Sequence, residues 1–144
     1  MTGVQIGLAV IMILLAIQLV PVERTNPPVT ERVEASPDVE GVLERACFDC
    51  HSNETRWPWY ARVAPASWLL THNVEDGRGE LNFSEWDYYD AEEQIDLVDR
   101  VVEVTTSGEM PPWEYLPLHP TARLSARDTE VLQGWPDTFE PTGE

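Results

Sequence analysis

The sequence predicts a small all-α domain that follows one apolar N-terminal segment. Apolar residues recur at helical spacing in several segments, capping residues and glycines bound those segments, and none shows sustained alternation of apolar and polar residues. The chain has 144 residues. Without the N-terminal segment about 120 remain, which is enough for one domain.

Residues 1–22 are the predicted anchor. No charged residue lies between Gly3 and Val22. About 20 residues in a helix span roughly 30 Å, which matches the hydrocarbon core of a bilayer. A cleaved signal peptide is the alternative, but the apolar run exceeds a usual signal core, no Lys or Arg precedes it, and no small-x-small cleavage motif precedes Pro21. We therefore expect one uncleaved transmembrane helix.

Residues 23–36 are predicted to be a Pro-rich linker. The segment includes Pro27–Pro28, mixes Glu with Arg and lacks apolar periodicity. Such a segment is extended and semi-stiff. We expect it to tether the following domain, residues 37–136, and to let that domain reorient.

The first helix of the domain is predicted to begin at Ser36–Pro37, a typical N-cap followed by proline at the first helical position. Its apolar stripe has the spacing i, i+3, i+4 and i+7: Val39, Val42, Leu43 and Ala46. This stripe leads directly into Cys47.

Cys47 and Cys50 are the only two cysteines of the chain, and His51 follows them directly. This C-x-x-C-H pattern is the attachment signature of a c-type haem. Two thiols on one helical turn can each form a thioether to a haem vinyl group, and the adjacent imidazole then becomes the proximal iron ligand. A redox disulfide is less consistent because no βαβ pattern surrounds the motif, and a zinc site would need an unusual ligand spacing. We expect one covalent haem c.

An aromatic segment follows the motif and is interrupted by prolines. Rings here could form an apolar wall of a haem pocket or simply pack in the core. The residues expected to bind the cofactor in this way are Trp57, Trp59, Tyr60 and Trp68. A helix is predicted from 66 to 75, with Trp68, Leu69 and His72 on one face and a stop near Gly77.

Two further helices are predicted. The first runs from 91 to 107 with Ile95, Val98, Val102 and Thr105 on its buried side, and Gly108 ends it. The second begins at Ser125, whose capping box would include Asp128, and ends near Pro136. Residues 137–144 are predicted to be a frayed tail.

Met110 is the leading candidate for the second axial ligand of the iron. It lies between a helix-ending glycine and two prolines, in a rigid extended loop that could hold a thioether sulfur in place. His72 and His119 are the alternatives. A hydrogen-bonded core histidine is the more frequent role for the first, and a propionate contact is another role for the second. An open distal site is the remaining possibility.

Charge restricts the partners. The formal net charge is −17, from 26 acidic residues against nine basic ones, all of which are arginine. Nucleic acid and anionic headgroups would be repelled, whereas a redox partner with a basic docking surface would be attracted. The acid excess could equally serve only to keep the surface solvated.

The chain resembles a known family. The C-x-x-C-H motif, Met110–Pro111 and a C-terminal helix with Leu132 and Trp135 resemble a class I cytochrome c. A narrower set of motifs resembles bacterial haem-binding domain proteins over about residues 40–136: CHSNET (50–55), WPWY (57–60), AP (64–65), WL (68–69), His72, GR (77–78), LNFSxW (81–86), GEMP (108–111) and HP (119–120). The resemblance implies a covalently bound haem and an extracytoplasmic setting.

These observations lead to one functional expectation and two alternatives. We expect a membrane-anchored monohaem cytochrome that carries single electrons and is not an enzyme, with its N-terminus in the cytoplasm and its haem domain on the periplasmic side of the inner membrane. A haem-based small-ligand sensor or peroxidase-like enzyme would need an open distal site. The third possibility is a cytochrome subunit of a larger respiratory or photosynthetic membrane complex.

Overall fold

The computed structural model describes residues 2–142 and confirms an all-α architecture; within that range one isolated bridge, Glu31 with Glu85, is the only β-type pairing. Six α-helices occur in the order α1 (Gly3–Ile17), α2 (Pro37–Ala46), α3 (Phe48–His51), α4 (Ala66–Glu80), α5 (Ala91–Thr106) and α6 (Ala126–Gln133). Short 3-10 turns lie at Trp59–Arg62, Trp86–Tyr88 and Pro120–Ala122.

The predicted transmembrane helix over residues 1–22 is not supported. From residue 2 to residue 142, no helix is both long and apolar enough to cross a membrane. Helix α1 has 15 residues and ends at Ile17. The chain leaves the helix where Gln18 turns its side-chain amide to Ala64: Nε2 donates to the Ala64 carbonyl at 3.1 Å, and Oε1 accepts from the Ala64 N–H at 2.9 Å.

The predicted linker is extended, but it is not a free tether. Residues 23–36, here called the strap, lie along the domain surface. The N–H groups of Thr30 and Val33 donate to the carbonyls of Ser84 and Phe83, each at 3.0 Å, and Trp86 N–H donates to Glu31 O at 2.9 Å. Val33 is buried in the core. The prediction that the domain reorients on a free tether is therefore wrong. Backbone hydrogen bonds and the buried Val33 hold the strap against the domain.

The hydrophobic core lies between α2, α5 and α6 and around a row of aromatic rings. Phe83 stacks on Phe48 and on Trp86, with centroids 5.5 and 6.1 Å apart. The core residues that are almost fully buried are Val39, Val42, Leu43, Phe48, Phe83, Trp86, Val98, Leu132 and Trp135. The apolar stripe predicted for α2 is thus confirmed at Val39, Val42 and Leu43, whereas Ala46 is only half-buried, and the stripe positions the turn that follows this helix.

The predicted bounds of α5 and the capping of α6 are confirmed, but one face is shifted. Asp90 caps α5, Gly108 follows it at φ 78°, and Ser125 forms the expected capping box with Asp128. The buried face of α5 carries Gln94, Val98, Val101 and Thr105. Ile95, predicted to be buried, is 46% exposed, because the buried polar side chain of Gln94 takes the core position beside it.

The C-terminal tail is docked as far as Thr142, in contrast to the predicted fraying. The Phe139 ring packs edge-on against Trp86 and Trp135. The Gln94 side chain accepts the N–H of Thr142 at 2.8 Å and donates to its carbonyl at 3.0 Å. Residues 143 and 144 of the predicted tail, and residue 1 of the predicted anchor, lie outside the described residues.

Candidate functional site

Cys47 and Cys50 lie on one short turn between two helices, here called the attachment turn (residues 47–51). Cys47 ends α2 and precedes α3, which contains Cys50 and His51. Both thiols are free. Burial raises the pKa of Cys47 to about 12 and that of Cys50 to about 11, and each is raised further by a neighbouring group, Cys50 and Asp49 respectively. Both cysteines are thus half-buried on the same turn.

His51 is prepared for metal binding by its hydrogen bond. Its Nδ1 lies 3.2 Å from the carbonyl oxygen of Leu81. A carbonyl only accepts, so Nδ1 carries the proton and Nε2 presents its lone pair. Burial lowers the pKa of His51, although the carbonyls of Leu81 and Gly77 oppose this effect. The ring is therefore neutral at neutral pH, as an iron ligand must be.

Helix α4 supports the attachment turn through a close backbone contact. A Cβ added at Gly77 would lie 2.7 Å from the carbonyl oxygen of Cys50. The helix was predicted to stop near this glycine, but it continues to Glu80. Gly77 has ordinary helical backbone, and its lack of a side chain permits the close contact. The fourth turn of α4 thus lies directly on the turn that carries the cysteines.

Arg78 connects three segments beside this contact. Its Nε donates to Ser52 O at 2.8 Å, and its terminal nitrogens donate to Thr25 O at 3.0 Å and Thr55 Oγ1 at 2.9 Å. These acceptors are all uncharged. The arginine thereby joins the strap and the loop after His51 to α4.

Met110 lies in a loop that reaches the same region, here called the Met110 loop (residues 107–119). The Met110 N–H donates to Val104 O at 3.0 Å, and the residue is half-buried. Five residues later, Tyr115 OH donates to Asp49 Oδ2 at 2.8 Å. Because Asp49 lies between the two cysteines, this bond places the loop beside the attachment turn.

His119 is engaged through both ring nitrogens. Nε2 lies 2.9 Å from Tyr60 OH and Nδ1 lies 3.0 Å from Tyr115 O. Its ring also stacks on Tyr115, with centroids 3.7 Å apart and planes 8° from parallel. The Tyr115 carbonyl fixes the proton on Nδ1, so binding of iron would cost His119 its contact with Tyr60.

His72 lies on the outer surface of α4. It is exposed and pairs with Asp76, at 3.2 Å from Nε2 to Oδ2. At about 100° per residue, it is displaced by about 140° around the helix from Gly77. The structure therefore does not bring this alternative ligand to the attachment turn.

The predicted aromatic wall is distributed over several places. Tyr60 joins His119 beside the attachment turn. Trp59 is 78% exposed, and Trp57 donates to Asn26 Oδ1 at 3.1 Å. Trp68 lines a surface cavity of about 360 Å³ together with Pro21, Val22 and Glu23 of the N-terminal region. Of the four rings, only Tyr60 is tied to residues next to the cysteines.

Asp49 and Tyr115 are residues of the site that the sequence did not predict. Asp49 occupies one of the two variable positions of the C-x-x-C spacing, and Tyr115 lies in a proline-rich loop without periodicity. A partial signal existed, because an aromatic hydroxyl near a candidate ligand commonly finds a polar partner when it is buried. Which partner it finds depends on the fold.

The residues present fit a haem. Two free thiols, a neutral histidine with its Nε2 lone pair available, and a methionine loop held nearby form a suitable donor set for iron. No curated protein and no solved structure matches the chain. The haem-binding domain family matches it over residues 12–138, which is most of its length. The chain therefore belongs to the haem-binding domain family.

Proposed function

We propose that this chain is a monohaem c-type cytochrome that carries single electrons at the periplasmic side of a membrane. In this proposal Cys47 and Cys50 would hold haem c through thioethers, and His51 and Met110 would be the protein ligands of its iron. The protein acts as a carrier and not as an enzyme.

The observation that carries the proposal is the arrangement of His51 within the attachment turn. Its Nδ1 donates to a backbone carbonyl while the free thiols of Cys47 and Cys50 lie on the same turn. A histidine ligand held in this way keeps one tautomer and one ring orientation. Bound haem would supply a one-electron iron couple.

The chain's own residues contribute rigidity and a low-polarity setting. The Gly77 contact holds the turn against α4, and the buried ring of Phe48 lies within the turn itself. A rigid frame keeps ligand positions similar in both redox states, which favours electron carriage over exchange of ligands. Thioether ligation by Met110 would favour reduced iron and raise the potential relative to two histidines.

Charge and helix α1 support a proposal for the location and the partners of the protein. The net charge of −17 supports a redox partner with a basic docking surface and argues against nucleic acid. Helix α1 has no charged residue, and most of its side chains are exposed and apolar. We propose that this segment associates with the membrane and that the haem domain works at the periplasmic surface, alone or as a subunit of a membrane complex.

The central test replaces Met110 by alanine in the holoprotein. Met110→Ala should lower the reduction potential, abolish the weak methionine-to-iron absorption band at the red end of the spectrum, and produce partly high-spin haem. Met12→Ala is the matched control, because Met12 lies in α1 and is 65% exposed. An unchanged spectrum and potential in the first variant would exclude Met110 as a ligand.

Carbon monoxide binding distinguishes an electron carrier from a small-ligand sensor or enzyme. The reduced wild-type protein should bind it slowly or not at all, because Met110 occupies the iron, while Met110→Ala should bind it readily. Rapid, stoichiometric binding by the wild type would contradict the proposal and favour a sensor or a peroxidase-like enzyme.

A further inference from the structure

Asp49 is the point where the attachment turn contacts the Met110 loop. Its Oδ2 accepts from Tyr115 OH at 2.8 Å, and its Oδ1 accepts from the backbone N–H and Nε of Arg56 at 3.0 and 3.2 Å. The Asp49 side chain is only 19% exposed. The carboxylate is therefore held on both sides, and it offers a fixed acceptor between the two cysteines.

Tyr115 is oriented by His119 as well as by Asp49. The two rings are nearly parallel at 3.7 Å, and His119 Nδ1 bonds to the Tyr115 carbonyl. Tyr60, from the 3-10 turn at Trp59–Arg62, completes the arrangement through His119 Nε2. The side chain of Tyr115 is thus constrained before its hydroxyl reaches Asp49, and little rotamer entropy remains to be lost in that bond.

The Met110 loop has few backbone bonds of its own. Three of its residues are prolines, which have no N–H to donate: Pro111, Pro112 and Pro117. Its backbone bonds include those from Met110 to Val104 O, from Tyr115 to Pro112 O and from His119 to Leu116 O. None of these three reaches the attachment turn, so side-chain contacts must hold the loop in register with it.

We propose that Tyr115 is a positioning residue for Met110, because its hydrogen bond to Asp49 locks the Met110 loop to the attachment turn. The inference rests on the proposed ligation by Met110. A ligand on a loop must compete with free ligands in solution, and its effective strength falls as the loop gains alternative conformations. Loss of the lock therefore weakens the hold of Met110 on the iron without changing the ligand itself.

The test is displacement of Met110 by imidazole in the ferric holoprotein. Tyr115→Phe keeps the ring that stacks on His119 and removes only the hydroxyl. We expect imidazole to bind about tenfold more tightly, the ratio that corresponds to loss of a hydrogen bond worth about 1.4 kcal/mol. Loss of the methionine-to-iron band during titration measures the affinity, and the haem-to-protein ratio checks that attachment is intact.

Two controls separate positioning from general destabilisation. Tyr88→Phe removes a hydroxyl from a residue that is 66% exposed, and it should leave imidazole affinity unchanged. Val98→Ala opens the core of α5, where Val98 is 1% exposed, and should lower the unfolding midpoint without tightening imidazole binding. Asp49→Asn, which keeps an uncharged acceptor, should give an intermediate affinity.

Failure of the inference can be distinguished from failure of the proposed function. If Tyr115→Phe binds imidazole like the wild type while Met110→Ala loses the methionine-to-iron band, Met110 remains the ligand but the positioning role of Tyr115 is overturned. If Met110→Ala keeps the band, both are overturned. Equal tightening in Tyr115→Phe and Val98→Ala would also overturn the lock, because the effect would then follow global stability.

Discussion

The two sides of the candidate haem site are held in different ways. The attachment turn lies between α2 and α4, and its closest contact is backbone against backbone, at Gly77 and Cys50. The Met110 loop has no α-helix of its own, and side-chain bonds of Tyr115 to Asp49 and of His119 to Tyr60 tie it to the rest of the domain. The proximal side therefore depends on packing, and the Met110 side depends on a small number of polar contacts.

Residues in or next to the attachment turn make two of the polar contacts in this region. Asp49, between the cysteines, binds Tyr115 of the Met110 loop, and Arg45, two residues before Cys47, binds the carbonyls of Thr121 and Arg123 just beyond that loop. Residues in or next to the C-x-x-C-H motif thus anchor the Met110 loop and the segment after it to the packed side of the site. Perturbing the packed side should reduce stability most, whereas perturbing the tethers should have smaller and more local effects.

The largest effect is expected from Gly77→Ala. The added Cβ meets the Cys50 carbonyl at 2.7 Å, a backbone atom that cannot move without shifting the attachment turn. We expect a loss of about 1–3 kcal/mol in the free energy of unfolding. Urea unfolding of the holoprotein measures this loss, and a changed haem absorption spectrum would report a displaced His51.

Gly79→Ala is the matched control on the same helix. A Cβ at Gly79 meets nothing within 4 Å, so alanine should stabilise the helix by about 0.5–1 kcal/mol. Opposite signs at two glycines of one helix would show that the contact, and not helix propensity, matters at Gly77. Equal effects would refute the backbone-packing account of the proximal side.

A smaller effect is expected from Arg45→Gln. Arg45 donates to Thr121 O at 2.6 Å and pairs with Asp128 at 2.9 Å. Since both partners remain partly exposed to water, we expect a loss of about 1 kcal/mol. Hydrogen exchange should increase at the start of α6 and leave the attachment turn unchanged. Arg127→Gln, at an exposed neighbouring position, serves as the control.

The smallest effect is a pH dependence that arises from Asp128. Partial burial alone would raise the pKa of this carboxyl, but hydrogen bonds from Ser125 and the Arg45 guanidinium outweigh it and hold the pKa below its usual range. The folded state therefore binds this proton less readily than the unfolded state, and the stabilisation is present above the unfolded pKa, about 3.9. It is lost as the pH falls through the folded pKa.

Asp128→Asn isolates this contribution. The difference in unfolding free energy between wild type and variant should be constant above about pH 5 and should shrink below about pH 4. Thermal or urea unfolding between these values measures it. A difference that stays constant down to the acid limit would show that the carboxylate charge does not stabilise the start of α6.

Local patterns predicted the helical part of this protein well. Ser36–Pro37 begins α2, Gly108 follows the end of α5, and Ser125 caps α6. Each of these signals acts through neighbours in sequence, because a cap bonds backbone groups within one turn. The buried face of α5 was predicted less well. Ile95 is exposed and Gln94 is buried, because the glutamine amide bonds to Thr142 in the C-terminal tail.

Sequence patterns did not predict the contacts between segments that are far apart in the chain. The sequence of the strap predicts a free tether, but its N–H groups pair with carbonyls 50 or more residues away. Gly77 looked like a helix stop, although it is a packing residue. The partners of His119 depend on where the chain places Tyr60 and Tyr115, which no spacing rule encodes.

The sequence by itself determined that two thiols and an imidazole lie within five consecutive residues, a local grouping that persists in any helical fold. It also determined the helical class, through cap residues and apolar periodicity. Only the tertiary structure decided which tautomer His51 adopts, that Asp49 meets Tyr115, and that His119 is already engaged. These features are hydrogen bonds between residues far apart in the chain, and their geometry exists only once the core has packed.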